Sequence, residues 1–144
     1  MPRIGTERSN RQYQIGSLLR AGAHVSFGSD WPCSDHRPLA GLPVAVTRQT
    51  TSQGPADGWI SDERITFEDA LRAYTSGVVY QAFAEVERGT LTPGKVADLV
   101  WSTATCSGWT TRTKSAMRPY GGTWLSGTRI FTPHTPEILK RVVR

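Results

Sequence analysis

One carboxylate stands out for where the chain puts it. In the run Ala23-His-Val-Ser-Phe-Gly-Ser-Asp30-Trp31-Pro32, His24 to Phe27 alternates and favours extended backbone, and Gly22 and Gly28 punctuate it on either side. That pattern fits a buried parallel strand. Asp30 then falls just past the strand's C-terminal end, where α/β folds collect ligands and reacting groups. A carboxylate there can bind a metal ion or accept a proton from an attacking water. The same residue type also suits capping of the loop or of the next helix through its side-chain oxygens. Spacing alone leaves both readings open.

The surrounding elements must hold Asp30 in place. Ser9 or Asn10 can cap a helix running to about Ala21, with Tyr13, Leu18 and Leu19 as its apolar positions and Gly22 as its stop. After the loop from Trp31 to Arg37, Pro38 can open a second helix carrying Leu39, Leu42, Val44 and Val46, with Gly41 and Pro43 making its first turn irregular. Residues 50–61 read as loop from Gly54, Pro55, Asp57 and Gly58. Thr66 and Asp69 are close to a capping box for a helix over 67–75, and a further short helix is expected over 78–84. From Gly89 the texture changes to short β segments, Thr90-Leu91 and Ala97 to Trp101, divided by a Pro93-Gly94 turn. Gly122 to Phe131 reads as a hairpin turning at Ser126-Gly127, and Pro136 can start a terminal helix. The polar stretch 102–120 carries no clear assignment.

Composition bounds the possibilities. The chain has 144 residues, 38% hydrophobic and 20% charged, with a formal net charge of +5. It is one domain in size, well short of a (β/α)₈ barrel of roughly 250 residues. No apolar run approaches the roughly 20 residues needed to cross a bilayer, and the N-terminus lacks a signal-peptide core, so a cytoplasmic location with no membrane partner is expected. The positive charge is concentrated after Trp101, where seven Lys and Arg face Glu137 alone. That tail lacks a recognition helix or an aromatic RNA-binding pattern, so it reads as solvated surface and no nucleic-acid partner is expected. Cys33 and Cys106 lack a C-x-x-C partner and read as free thiols.

Two separated motifs carry a family resemblance. Leu19-Arg20-Ala21-Gly22-Ala23 leads into Phe27-Gly28-Ser29-Asp30-Trp31-Pro32, followed by Pro38-Leu39 and Ala70-Leu71-x-x-Tyr74-Thr75. Further on stands Gly89-x-Leu91-x-Pro93-Gly94-Lys95-x-Ala97-Asp98-Leu99-Val100. Together these resemble the C-terminal part of metal-dependent amidohydrolases of the family 3 type, the group that includes N-substituted formamide deformylase-like proteins. The resemblance covers roughly residues 1–100 and, loosely, the hairpin from Trp124 to Phe131. It implies an α/β fold: the last strand and flanking helices of a TIM (β/α)₈ barrel over 1–86, and part of a small composite β-sandwich over 87–131. The sandwich would contain the unassigned insert at 102–120, and a basic tail would occupy 132–144.

For Asp30 the resemblance implies two linked roles: ligand to a divalent metal, usually Zn²⁺, and acceptor of a proton from the metal-bound water as it attacks the substrate carbonyl. The implied reaction is hydrolysis of a non-peptide carbon–nitrogen bond in a small amide-like substrate. Trp31, Pro32, Ser34, Asp35 and His36 follow on the same loop and would shape a substrate pocket at the barrel mouth. His36 as a ligand is weighed against an ordinary loop histidine, and His24 reads as a packed strand residue. His134 has no evident partner, and Asp98 reads as structural, ending a turn. Trp59, Trp101, Trp109 and Trp124 lack the spacing of a base-stacking platform.

The family's other ligands, an H-x-H pair, a mid-barrel carboxylate or carbamylated lysine and two later histidines, have no counterpart in this sequence. One carboxylate cannot hold zinc tightly, since zinc sites use three or four protein ligands. The expectation is a hydrolase represented by its C-terminal part and inactive alone, with an upstream polypeptide supplying the rest of the barrel. The alternative is a noncatalytic remnant or a structural subunit that completes a partner's barrel. The sequence after Val100 departs from the family pattern, so an incomplete or displaced β unit is expected there.

Overall fold

The computed structural model describes residues 3–50, 52–102 and 120–132. Five short helices come first, then a three-stranded antiparallel sheet: α1 Gly5–Ser9, α2 Ile15–Arg20, α3 Pro38–Thr47, α4 Phe67–Tyr74, α5 Ser76–Gln81, β1 Leu99–Ser102, β2 Tyr120–Leu125 and β3 Thr128–Phe131.

The first helical stretch is broken where the sequence suggests continuity. Tyr13 sits in the left-handed region at φ 52°, a conformation that cannot propagate an α-helix, so α1 ends at Ser9 and α2 starts at Ile15. The expected cap at Ser9 or Asn10 is therefore not made. The start of α2 is satisfied from afar instead: Glu63, in a 3₁₀ turn over Ser61–Glu63, accepts the Ser17 N–H at 2.7 Å. Its other oxygen takes the Ser17 hydroxyl, and Arg20 lies 3.7 Å away. The stop at Gly22 is as expected. Gly22, at φ 81°, donates to the Leu19 carbonyl at 2.9 Å and Ala23 donates to the Leu18 carbonyl at 3.0 Å, the paired bonds of a Schellman ending.

The helix expected from Pro38 forms and runs unbroken through Pro43. It buries Leu42 to 1% exposure against Ile65 and Ala70, with Ile15, Leu19, Phe27, Val46, Phe67 and Tyr74 packed around them. Full burial of a leucine stabilises by roughly 1.5–3 kcal/mol, so this cluster is the principal glue of the helical part. Gly41 permits the close approach of α3 to α4, since a Cβ there would lie 2.1 Å from the Tyr74 hydroxyl. Helix α4 carries the expected cap: Thr66 Oγ1 accepts the Asp69 N–H at 3.1 Å and donates to Asp69 Oδ2 at 2.7 Å. Helix α5 begins two residues earlier than expected and ends at Gln81, ahead of the left-handed Phe83 at φ 55°.

In the β unit, the Thr92–Lys95 turn closes with Lys95 N–H donating to the Thr92 carbonyl at 3.2 Å and Gly94 at φ 92°. This is a turn that requires glycine at its third position. Thr90-Leu91 does not join the sheet; Leu91 is 87% exposed and has no strand beside it among the described residues. The hairpin turns at Ser126-Gly127 with both residues at positive φ, 49° and 79°, matching the twist of the flanking strands. Past Val100, Trp101 continues β1 and pairs with Gly122, and the register shifts between Trp101 and Ser102. A Cβ on Gly121 would meet the Trp101 ring at 2.4 Å, so glycine lets the indole lie across the neighbouring strand. The expected terminal helix and all but the ends of the polar insert lie outside the described residues.

The strand expected at His24–Phe27 has no strand partner among the described residues. The described sheet is limited to β1, β2 and β3, all antiparallel, and residues 23–29 pair with none of them. A parallel strand exists only where a neighbour accepts its ladder bonds, and among the described residues none does. The described fold is thus a mixed helical and antiparallel unit, compatible with an α/β fragment.

Candidate functional site

The segment that delivers Asp30 is strapped onto α4 and α5 residue by residue. His24 stacks on Tyr80 with ring centroids 4.0 Å apart, and it is exposed rather than packed in a core. The Val25 carbonyl approaches Gly77 so closely that a Cβ there would lie 2.2 Å from it. Ser26 bonds through its hydroxyl to the Gln81 side chain. Phe27 donates its N–H to the Ala73 carbonyl at 3.0 Å and sets its ring edge-on to Tyr74 at 5.3 Å. The strap leaves little freedom in where the chain emerges at Gly28.

Asp30 itself adopts φ 49°, in the left-handed region, which aspartate tolerates better than most residues. Its carbonyl accepts the Cys33 N–H at 2.8 Å, and the Trp31–Pro32 peptide between them is cis. One residue outward, the Ser34 hydroxyl donates to the Ser29 carbonyl. The loop is therefore closed twice, once between backbone groups and once by the Ser34 hydroxyl, while the Asp30 carboxylate is exposed and bonds to none of the described residues. The capping use is not realised by the described residues: the N-cap of α3 is Arg37, and no side chain caps that end.

The neighbours on the loop divide by what their polar atoms do. Asp35 is held by Arg37, whose backbone N–H and Nε both reach Oδ1 at 2.9 Å while Nη2 takes Oδ2. That side-chain bond is the main reason its carboxyl is held far below the usual carboxylate range, with the Arg37 N–H adding to it. Asp35 thus initiates α3 as a local turn-former. His36 is exposed, with Nδ1 3.7 Å from Asp35 Oδ1. Trp31 projects its ring with 68% of its surface exposed, and Pro32 and Cys33 are exposed beside it.

Among the described residues no three His, Cys, Asp or Glu side chains converge to hold a metal ion. A single exposed carboxylate does not fit a resident zinc, which needs at least three protein ligands. Asp98 is structural as expected: Oδ1 accepts the Ser126 N–H at 2.8 Å and Oδ2 lies 3.5 Å from Arg88 Nη1. Sequence reasoning passed over Glu63, a carboxylate only 6% exposed. Its partner Ser17 is 46 positions away, so no local pattern signals the pair.

Comparison with known proteins adds what the geometry cannot. A family model described as the amidohydrolase family, of the type-3 group, matches residues 1–130. The match extends past the Pro-Gly-Lys-x-Ala-Asp-Leu segment to the hairpin. Protein LONG AFTER FAR-RED 3 of Arabidopsis thaliana is 41% identical over 99 residues, 68% of this chain and 17% of that protein. N-substituted formamide deformylase of Arthrobacter pascens is 34% identical over 88 residues, 61% of this chain and 16% of its own length. Putative amidohydrolase YtcJ of Bacillus subtilis is 27% identical over 96 residues, 67% of this chain and 18% of that protein. The chain therefore spans under a fifth of the length of these curated relatives. No solved structure matches it. No helix among the described residues is long and apolar enough to cross a membrane.

Proposed function

The chain belongs to the amidohydrolase family of the type-3 group, and from that premise we propose that it supplies one corner of the active site of a hydrolase acting on non-peptide carbon–nitrogen bonds. The observation that supports this most directly is Asp30: an exposed carboxylate, unbonded among the described residues, at the tip of a loop that is closed twice. Asp35, Asp69 and Asp98 engage their oxygens, whereas Asp57 and Asp62, like Asp30, leave theirs unbonded among the described residues; what sets Asp30 apart is its place at the tip of the doubly closed loop.

In this reading the Asp30 carboxylate takes a proton from the water that attacks the substrate carbonyl and passes it to the departing nitrogen, giving a carboxylic acid and an amine. A divalent metal such as Zn²⁺ would need further ligands from outside the described residues beside Asp30, and so held it would supply an activated water at neutral pH. Trp31, Pro32 and His36, exposed on the same loop, are candidate substrate contacts. The substrate is a small amide-like molecule, in keeping with the name of the deformylase relative. The remaining ligands come from an upstream polypeptide, and the chain by itself is inactive. A second reading, a structural subunit that completes a partner's barrel without reacting itself, is favoured by segment 23–29, which has no strand partner among the described residues.

The test is a hybrid in which this whole chain replaces the matched segment of the Arthrobacter pascens deformylase. The hybrid is expected to hydrolyse an N-substituted formamide, and Asp30→Asn to lower turnover about 10²–10⁴-fold, the usual worth of a positioned proton acceptor. Turnover in the Asp30→Asn hybrid equal to the unsubstituted one points to the structural-subunit reading. A folded, zinc-loaded hybrid with no activity overturns the assignment.

A further inference from the structure

The loop that presents Asp30 contains a hydroxyl whose placement argues for a role distinct from substrate contact. Ser34 Oγ donates to the Ser29 carbonyl, the peptide oxygen immediately before Asp30. Within that ring the Cys33 N–H donates to the Asp30 carbonyl at 2.8 Å. Together they fasten the backbone on both sides of Asp30, the one loop residue from 29 to 37 at positive φ. A non-glycine residue in the left-handed region is disfavoured and persists where its surroundings fix it. The Cys33 N–H belongs to the backbone and is present in any variant except proline, so Ser34 is the side chain on which the closure depends.

The alternative conformation shows what the closure prevents. If Asp30 relaxes to negative φ, its short side chain can fold back onto nearby backbone N–H groups, as aspartates in turns commonly do. The carboxylate would then be engaged locally and withdrawn from a reacting water. We propose that Ser34 is a positioning residue: its hydroxyl, by holding the Ser29 carbonyl, keeps Asp30 left-handed and its carboxylate free to face substrate. This rests on the reading of Asp30 as the reacting carboxylate. It also moves Ser34 out of the set of substrate contacts, because its proton is directed at the loop's own backbone.

Two measurements test it. On the full chain, the backbone shifts and the H–N to Hα coupling of Asp30 report its φ directly by NMR. Ser34→Ala is expected to lose the left-handed signature and Ser34→Thr, which retains the donor, to keep it. In the deformylase hybrid, Ser34→Ala is expected to lower kcat about 10–100-fold with KM unchanged, the usual consequence of a slightly misplaced reacting group, and Ser34→Thr to restore it. A Ser34→Ala chain that keeps the left-handed Asp30 overturns the proposal. So does a raised KM with unchanged kcat, which would make Ser34 a substrate contact, or an alanine variant no worse than threonine. An Asp30→Asn hybrid that remains fully active brings down the Asp30 reading itself, and is told apart from failure at Ser34 by the NMR result.

Discussion

The carboxylate of Glu63 accepts the backbone N–H of Ser17 at 2.7 Å, capping the start of α2 from 46 positions away in sequence. Helix α2 leads through Gly22 into the segment that carries Asp30, so this long-range cap links the 3₁₀ turn to the candidate site. The Ser17 hydroxyl and then its N–H hold the Glu63 carboxyl below its ordinary value of 4.5, against burial, which pushes the other way. A carboxyl depressed in the folded state stabilises fully above its unfolded value and loses that contribution as pH falls through the folded one. Stability is therefore expected to decline below about pH 4.5 in proportion to this shift. Glu63→Gln should cost about 1–3 kcal/mol at neutral pH and flatten the acid-side slope. Urea unfolding of the two forms at several pH values measures both, and parallel acid-side slopes would exclude Glu63 as the source.

A second carboxylate fastens the β unit. Asp98 Oδ1 accepts the N–H of Ser126 at the hairpin turn, and the adjacent Ala97 carbonyl accepts the Gly127 N–H at 3.0 Å. Removing the side chain leaves the Ser126 N–H to solvent while the Ala97 bond remains. Asp98→Ala is expected to destabilise by about 0.5–1.5 kcal/mol, the net worth of one such bond, and to act locally. Hydrogen exchange should quicken at the β2 and β3 amides and stay unchanged in α3 and α4. Uniform acceleration across the chain would show instead that the hairpin and the helices unfold together.

What the sequence makes legible is whatever is closed within a few residues. Thr66 caps α4 through Asp69 three positions on, Gly22 and Ala23 end α2 by bonds to the Leu19 and Leu18 carbonyls, and Ser126-Gly127 turns the hairpin. Each follows from the chemistry of one or two side chains. The pattern fails where a distant group decides the outcome. Glu63 caps α2, and the Arg48 guanidinium reaches the Tyr13 carbonyl at 3.3 Å beside the break that splits the first helical stretch. The alternation of His24 to Phe27 is a true strand signal in composition, yet a strand needs a neighbour, and periodicity says nothing about whether one is there. At the site, position on the loop drew attention to Asp30 and Asp35 alike. It took the Arg37 clamp on Asp35 to separate a carboxylate engaged in its own turn from one left open.

The isolation of Asp30 carries a direct consequence for metal binding. Neither His36 nor Asp35 joins it in a group of three donors, and Asp35 is already paired with Arg37. A lone exposed carboxylate holds a divalent ion only weakly, since affinity for zinc grows from three or four converging ligands. Calorimetric titration of the full chain with zinc is expected to give the same isotherm for the wild type and for Asp30→Asn. The substitution should also leave stability within about 0.5 kcal/mol, as expected at an exposed side chain that bonds to none of the described residues. Tight stoichiometric binding that vanishes in the Asp30→Asn chain would show that further ligands converge on Asp30 within these 144 residues. The need for ligands from another polypeptide would then fall, because the chain would already hold its metal.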